Sequence, residues 1–420
     1  MPIKIYQLNS VSRRSACAAV VALVALAVFS VAKWGFAHTA AVQSDTVEVA
    51  ALAADLATDD PQTHYAFAVL SEKTFATEDM QRAVGEYELA ASRSPNNYLL
   101  WLDLGRARER NGDQPGAERA LRKALELGPN YSRVQWALGN VLLRQGKSDE
   151  AFAEIRKALA GDENYTNAAA TMAWQIFEGD VAAVRNAIGD SSQANAAFAT
   201  MLTGQKRFDE AFDIWERLPQ DEKKTTLKEN GQILYRQFLE SGKYRFASRI
   251  GEQIGITSDS REVANGGFEE PVTAQSPDIF TWQIAEGLSP RIGPTDGQKH
   301  GGIYSLLMSF GQGSKAIRQV SQTIAVEPST NYVLELYYRS DLKTQSKIKW
   351  EIVAAANGKA LASTDAIMPA ADWTTVRISF TVPEDIDGVV LRFAAGDCDS
   401  ATCSISGNIW FDDFSLKAVN

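Results

Sequence analysis

The stretch Asn97–Tyr131, NYLLWLDLGRARERNGDQPGAERALRKALELGPNY, decides the fold of the first half of the chain. Leu99, Leu102 and Leu104 with Trp101 form an apolar stripe at helical spacing, which Asn111-Gly112-Asp113 interrupts. Ala117, Leu121, Ala124 and Leu125 then resume that spacing until Gly128-Pro129. Proline cannot continue a helix, and glycine tolerates positive φ at a helix end. The pattern predicts two short amphipathic helices joined by a tight turn, a unit too small to bury its apolar faces alone.

Such a unit should recur, and it does, at 34-residue steps: Leu70, Leu104 and Leu138 correspond, as do Ala83, Ala117 and Ala151. Ala90, Ala124 and Ala158 follow, then Asn96, Asn130 and Asn164; Gly112 meets Gly146 and Pro95 meets Pro129. Small residues stand where helices cross closely, with larger apolar ones beside them. Trp101, Leu104, Gly105, Ala117, Ala124 and Pro129 fall on the signature positions of the tetratricopeptide repeat, which this stretch resembles. Three copies keep register (64–97, 98–131 and 132–165). Residues 167–189 read as helical but short for a unit, and 196–218 and 227–254 read as divergent helix pairs.

The resemblance implies a helical array over 63–255 with a concave surface made by the first helix of each pair. It places Arg106, Glu109, Arg110, Arg133, Trp136, Asn140 and Arg144 on that surface. Arginines with an indole and an amide suit a protein partner presenting an extended acidic segment. Ordinary solvated charge with i,i+4 pairing is the alternative.

The chain has 420 residues, of which 45% are hydrophobic and 22% charged, a length that suggests two or three domains. Its formal charge of −10 and the lack of a basic run argue against a nucleic-acid partner. Near the N-terminus, Arg13 and Arg14 precede the uncharged run Ala16–Ala32, and Lys33-Trp34-Gly35-Phe36 follows it. About 17 residues is the short end of the spanning range, which Trp34 and Phe36 extend into the interface. Residues 1–37 are therefore read as a single-pass signal anchor of the inner membrane, with the bulk of the chain periplasmic. A signal peptide cleaved after Ser30-Val31-Ala32 is the alternative. Residues 38–62, rich in alanine with scattered acids, are read as a stalk or first helix.

Helical periodicity stops near Gly255. Alternating runs replace it at 317–326, 332–339, 348–354, 375–382, 389–395 and 409–416, separated by turn signals such as Glu327-Pro328-Ser329-Thr330 and Asn357-Gly358. Short strands at this spacing predict a β-sandwich, most simply a jelly roll, over 263–420. The fold class is thus multidomain: a membrane helix, an α-helical solenoid and an all-β C-terminal domain. Alternation within Tyr332–Arg339 assigns Tyr332, Leu334, Leu336 and Tyr338 to the core and Val333, Glu335, Tyr337 and Arg339 to an outer face. With Glu351, Gln319 and Arg392, and with Lys349 and Arg377, the outer set is expected to line one sugar-binding face. A solvated face of paired charges is the alternative.

Asn265-Gly266-Gly267-Phe268-Glu269 opens this half, Gly302-Ile303-Tyr304-Ser305-Leu306 sits in its middle, and Trp410-Phe411-Asp412-Asp413 closes it. The order resembles that of the jelly-roll carbohydrate-binding modules attached to bacterial xylanases and cellulases, which bind sugars without cleaving them. The resemblance implies a structural calcium near the chain ends held by Glu269 and Asp412, with backbone carbonyls completing the shell. Otherwise Glu269 is an edge residue and Asp412 caps a turn.

Cys398 and Cys403 bracket a hairpin-like turn, which in an exported domain suggests a disulfide, with two free thiols as the alternative. Cys17, inside the apolar run, reads as a small hydrophobe. The three histidines are widely separated, and no nucleophile elbow, P-loop, HExxH or nucleotide fingerprint occurs. The sequence therefore predicts a non-enzymatic, membrane-anchored scaffold with a protein-binding groove and a polysaccharide-binding module, accessory to cell-envelope or exopolysaccharide assembly. Its rival is a pure protein adaptor whose sandwich binds no sugar.

Overall fold

The computed structural model describes residues 10–74, 76–257, 262–272, 278–314, 317–344, 346–396 and 404–419. The chain divides into two compact units, Met1–Ala194 and Asn195–Asn420.

The first unit begins with α1 (Val11–Gln43), capped by the Ser10 hydroxyl, which accepts from Arg13 N. By length and composition α1 is able to cross a membrane, a property that signal sequences share. Its first half is exposed, but Ala37 and Ala41 are buried against Ala53, Ala57 and Ala66. Ala53 lies on α2 (Val47–Leu56), Ala57 caps its C-terminus, and Ala66 lies on α3 (Pro61–Glu72). Residues 38–62, expected as a stalk or first helix, are mostly helical and packed: alanine permits close helix approach, and His38 Nδ1 lies 2.7 Å from Asp60 Oδ2.

Antiparallel pairs follow: α3 with α4 (Thr77–Arg93), α5 (Tyr98–Arg110) with α6 (Gln114–Leu127), and α7 (Ser132–Arg144) with α8 (Ser148–Gly161). A 3-10 turn leads to α9 (Thr166–Ile176) and α10 (Val181–Ile188), so residues 167–189 also make a helix pair. Side-chain caps set the helix starts: Asp60 accepts from Gln62 N, Asn97 from Leu99 N, and Asp113 from Gly116 N. Gly112 and Gly146 take φ of +84° and +75° at equivalent turns, where other residues would be strained. Leu100 rather than Leu99 faces the core with Leu102 and Leu104; Leu99 is exposed. Gly105 and Gly139 let each first helix touch its second, because a Cβ at Gly139 would stand 2.7 Å from Ile155 Cγ1.

His64 is buried on α3, with Nδ1 2.6 Å from Glu86 Oε2 and Nε2 2.9 Å from Thr58 O. Both partners are acceptors, so the ring satisfies both only as an imidazolium. The Glu86 hydrogen bond accordingly raises the His64 pKa above 6.5, against the opposing effect of burial. A raised folded-state pKa contributes stability that is complete below 6.5 and is lost as pH rises through the folded value. We expect His64→Gln to flatten that part of the stability–pH profile and to cost about 1–3 kcal/mol on its acidic side, in denaturant titrations across pH.

The boundary between the units falls inside α11 (Ser192–Gly204). The second unit contains α12 (Phe208–Glu216), α13 (Gln220–Lys224), α14 (Lys228–Glu240) and α15 (Tyr244–Ile254). These helices pack with the strands as one body. Tyr235 donates to Asp278 Oδ1 at 3.1 Å, Tyr244 N donates to Asp387, and the Tyr244 ring covers Gly388. The texture change near residue 255 therefore marks a change of secondary structure inside a compact unit.

The strands are β1 (Gln283–Ile284), β2 (Arg291–Thr295), β3 (Ser305–Ser314), β4 (Val320–Ala325), β5 (Asn331–Ser340), β6 (Lys343–Thr344), β7 (Ile348–Ala354), β8 (Ala360–Ser363), β9 (Ala370–Thr381), β10 (Gly388–Ala395) and β11 (Ile405–Val419). All pairings are antiparallel. One sheet runs β1-β4-β10-β7-β8; the other runs β2-β3-β11-β5-β9, with β6 pairing at β11. Each expected alternating run contains a strand, and Tyr332, Leu334, Leu336 and Tyr338 face the core. Between the sheets, Trp350 meets Phe393, Phe411 and Phe414 at ring centroid distances of 5.4, 5.3 and 4.9 Å.

Candidate carbohydrate face and helical groove

The residues expected on one sugar face do not share a face. Tyr337 and Arg339 lie on β5, in the six-stranded sheet; Glu351 lies on β7 and Arg392 on β10, in the other. Gln319 is exposed just before β4, again in the other sheet. Outward positions of opposed sheets point away from each other, so the set is split. Glu351 accepts from Arg392 Nη2 at 2.8 Å and pairs with Lys349 at 3.0 Å. The Lys349 bond, followed by that of Arg392, holds the Glu351 carboxyl below its usual range. This part of the five-stranded sheet is a face of paired charges, the alternative reading.

The outer face of the six-stranded sheet has a different chemistry. The His300 ring stacks on Tyr337 at 3.8 Å and 14°, and Trp373 meets it edge-on at 5.7 Å. One register step along, Trp410 lies opposite Arg339 on one side and Leu307 on the other. Arg339 Nη1 donates to Gln298 Oε1 at 2.5 Å. Gln298, Arg339, Asp341 and Trp410 border a cavity of about 590 Å³. Flat rings beside forked polar groups are what sugar recognition requires: ring faces take the C–H side of a pyranose, and the guanidinium and amide take its oxygens. Sequence reasoning missed Gln298 and His300, since loop residues carry no periodic signal. Trp410 was findable, because its strand alternates it with the core residues Ile409 and Phe411.

The loop bearing His300 is tied down by acids. Asp412 Oδ2 accepts from His300 N and Gly301 N at 2.8 and 3.1 Å, and Asp413 Oδ2 meets His300 Nδ1 at 2.7 Å. Glu269 Oε1 accepts from Ile303 N and Tyr304 N. Asp413 interrupts β11 as a bulge with φ +47°. A carbon built at Gly267 would stand 3.5 Å from Asp413 Oδ1, 3.8 Å from Asp412 Oδ1 and 3.9 Å from Glu269 Cγ, so the three acids converge there. Asp412 is fully buried with no basic side-chain partner among the described residues, and burial raises its pKa. No group of three or more His, Cys, Asp and Glu among the described residues is arranged to hold a metal ion. Of the expected calcium ligands, Asp412 and Glu269 do converge, but Asp412 Oδ1 and Oδ2 and Glu269 Oε1 already accept from backbone N–H groups of His300, Gly301, Ile303, Tyr304 and Asp413. Cys398 and Cys403 lie outside the described residues.

In the helical unit, the expected groove residues lie on α5 and α7, but ion pairs between repeats engage half of the arginines. Arg110 Nη2 meets Glu72 at 2.5 Å and Arg144 meets Glu109 at 3.3 Å. Asn140 turns back to donate to Trp136 O, and Trp136 stacks on Tyr165 at 4.6 Å. Arg106 has only a distant partner, Asp103 at 3.9 Å, and Arg133 makes no ion pair among the described residues. Burial, then the nearby Arg133 charge, lowers the Arg106 pKa. Two adjacent guanidiniums without full counter-charge remain.

The geometry defines a class: helical repeats joined to a carbohydrate-binding-type sandwich. Residues 261–402 match the family described as Carbohydrate binding domain, and residues 74–132 and 102–169 match Tetratricopeptide repeat. Among curated proteins, a peroxisomal targeting signal receptor of Saccharomyces cerevisiae is 26% identical over 157 residues, 37% of this chain and 24% of that protein. The chain thus spans about a quarter of that relative's length. Among solved structures, one titled "CBM4 structure and function" is 20% identical, with TM-score 0.30, covering 37% of this chain and 99% of that one. YrrB, titled a TPR protein with an unusual peptide-binding site, is 15% identical with TM-score 0.27, covering 50% and 92%.

Proposed function

We propose that the chain is a non-enzymatic, membrane-tethered scaffold of the cell envelope, anchored in the inner membrane by α1, with the rest of the chain periplasmic. Its repeats hold a protein partner and its sandwich holds a glycan, in support of envelope or exopolysaccharide assembly. The observation that carries the glycan reading is the platform of Tyr337, His300 and Trp373 beside Trp410 and Arg339 on one sheet face. In the groove, Arg106 and Arg133 suit the carboxylates of an acidic segment.

The full chain in detergent, printed against a glycan array, tests this reading. We expect Trp410→Ala and Tyr337→Ala to weaken glycan binding by about 10-fold or more, as loss of a stacking ring generally does. Arg392→Gln, on the other sheet, should leave it unchanged. Binding to no glycan, together with capture of a defined acidic peptide that Arg106→Glu abolishes, would instead establish a pure adaptor.

Calcium belongs to the same proposal, with Glu269 and Asp412 as its side-chain ligands and a structural role in fixing the chain ends. Added calcium should raise the melting temperature of the full chain, and Asp412→Asn should remove that increment. An unchanged melting temperature on adding calcium to the parent protein counts against the site.

A further inference from the structure

We infer that the glycan held on the six-stranded sheet is acidic, carrying a carboxylate that pairs with Arg339; the inference rests on the glycan reading above. The half-buried guanidiniums of the sandwich are otherwise accounted for. Arg392 meets Glu351 at 2.8 Å, and Arg318 donates to the carbonyls of Ala285 and Pro290. On the same sheet as Arg339, Arg377 is paired with Glu335. Arg339 differs from them all. Its one hydrogen bond goes to the neutral amide of Gln298, and it has no ion pair among the described residues.

One acid, Asp341, borders the same cavity and makes no ion pair with Arg339 among the described residues. Asp341, across the same cavity, accepts from Asn408 N at 2.6 Å and Asn408 Nδ2 at 3.4 Å. A half-buried guanidinium facing a groove, with no ion-pair partner of its own, gains most from a ligand that brings one. Gln298 orients the fork, and Trp410 lies opposite it on the neighbouring strand, where a sugar ring bearing the carboxylate would stack. Neutral sugars would use the rings but leave the charge unanswered. The chain's net charge of −10 does not decide the matter, because screening confines such fields to about 10 Å at moderate salt.

The probes are oligosaccharides of galacturonate, glucuronate and mannuronate, each as the free acid and as its methyl ester, which keeps the sugar and removes the charge. Neutral xylo- and gluco-oligosaccharides and a sulfated oligosaccharide complete the set. Titration calorimetry on the full chain in detergent should show at least one free acid binding about 10-fold or more tightly than its ester, with the difference shrinking as salt rises. Arg339→Gln should weaken binding of the free acid more than that of the ester, so that the preference between them disappears; Arg339→Lys should restore part of the preference. A stronger response to the sulfated probe than to every uronate would overturn the carboxylate assignment. Equal affinity for acid and ester, or equal loss of both in Arg339→Gln, would overturn the inference and leave the glycan reading standing. No binding to any sugar, charged or neutral, would remove the glycan reading and this inference with it.

Discussion

Trp350→Ala is expected to destabilise the second unit by about 3–5 kcal/mol, the usual cost of emptying a buried aromatic site. The side chain is fully buried and touches Trp282, Phe393, Phe411 and Phe414, so both sheets would line the void. Its indole Nε1 has no hydrogen-bond partner among the described residues, so truncation strands no other polar group there. Trp350→Phe should therefore be far milder, about 1–2 kcal/mol, because it removes an unsatisfied donor along with some volume. Thermal melts of the two variants should separate clearly; equal losses would show that packing at Trp350 is not what holds the sheets together.

The second large effect is expected at Gly139→Val. The new Cβ would press on Ile155 Cγ1 at 2.7 Å and on the Ala151 carbonyl at 3.2 Å, and backbone cannot yield as a side-chain tip does. Overpacking of this kind costs about 1–3 kcal/mol, with a few tenths more for a β-branched residue in a helix. Displacing α7 from α8 would also move Arg133, so affinity for an acidic peptide should fall along with stability. Gly85→Val serves as the comparison, because nothing lies within 4 Å of a Cβ there and only helix propensity changes.

The repeats were legible because their physics is local and periodic. Leu104, Ala117 and Leu138 stand where their spacing places them, and the turn glycines mark the breaks. The core of the sandwich was legible for the same reason, since a period of two sorts Leu334 from Glu335. Sheet membership was not legible. Alternation says which side of its own sheet a residue occupies, but β5 neighbours β11 and β9 while β7 crosses to the opposite sheet. Tyr337 and Glu351 therefore looked like companions and are not. Of the strands that went unread, β1, β2, β6 and β8 are short, and β2 carries Gly293-Pro294, whereas β3 runs ten residues. The groove arginines were placed on the right helices, but their pairing with Glu72 and Glu109 depends on superposing neighbouring repeats, which no single stretch encodes.

The alanine packing of α1 has a mechanical consequence. A disordered tether of about 25 residues would let the array wander over some 25–30 Å, so a partner in the membrane would meet it at a diluted effective concentration. Here the tether stays helical to Gln43 and is clamped by Ala37 and Ala41, with His38 beside Asp60. Were its first half to lie in a bilayer, as proposed, α1 would be a lever rather than a leash. The height of the first repeats above that membrane would then be set by helix rise, about 1.5 Å per residue, and a tilt of the inserted half would be transmitted to the repeats packed on it.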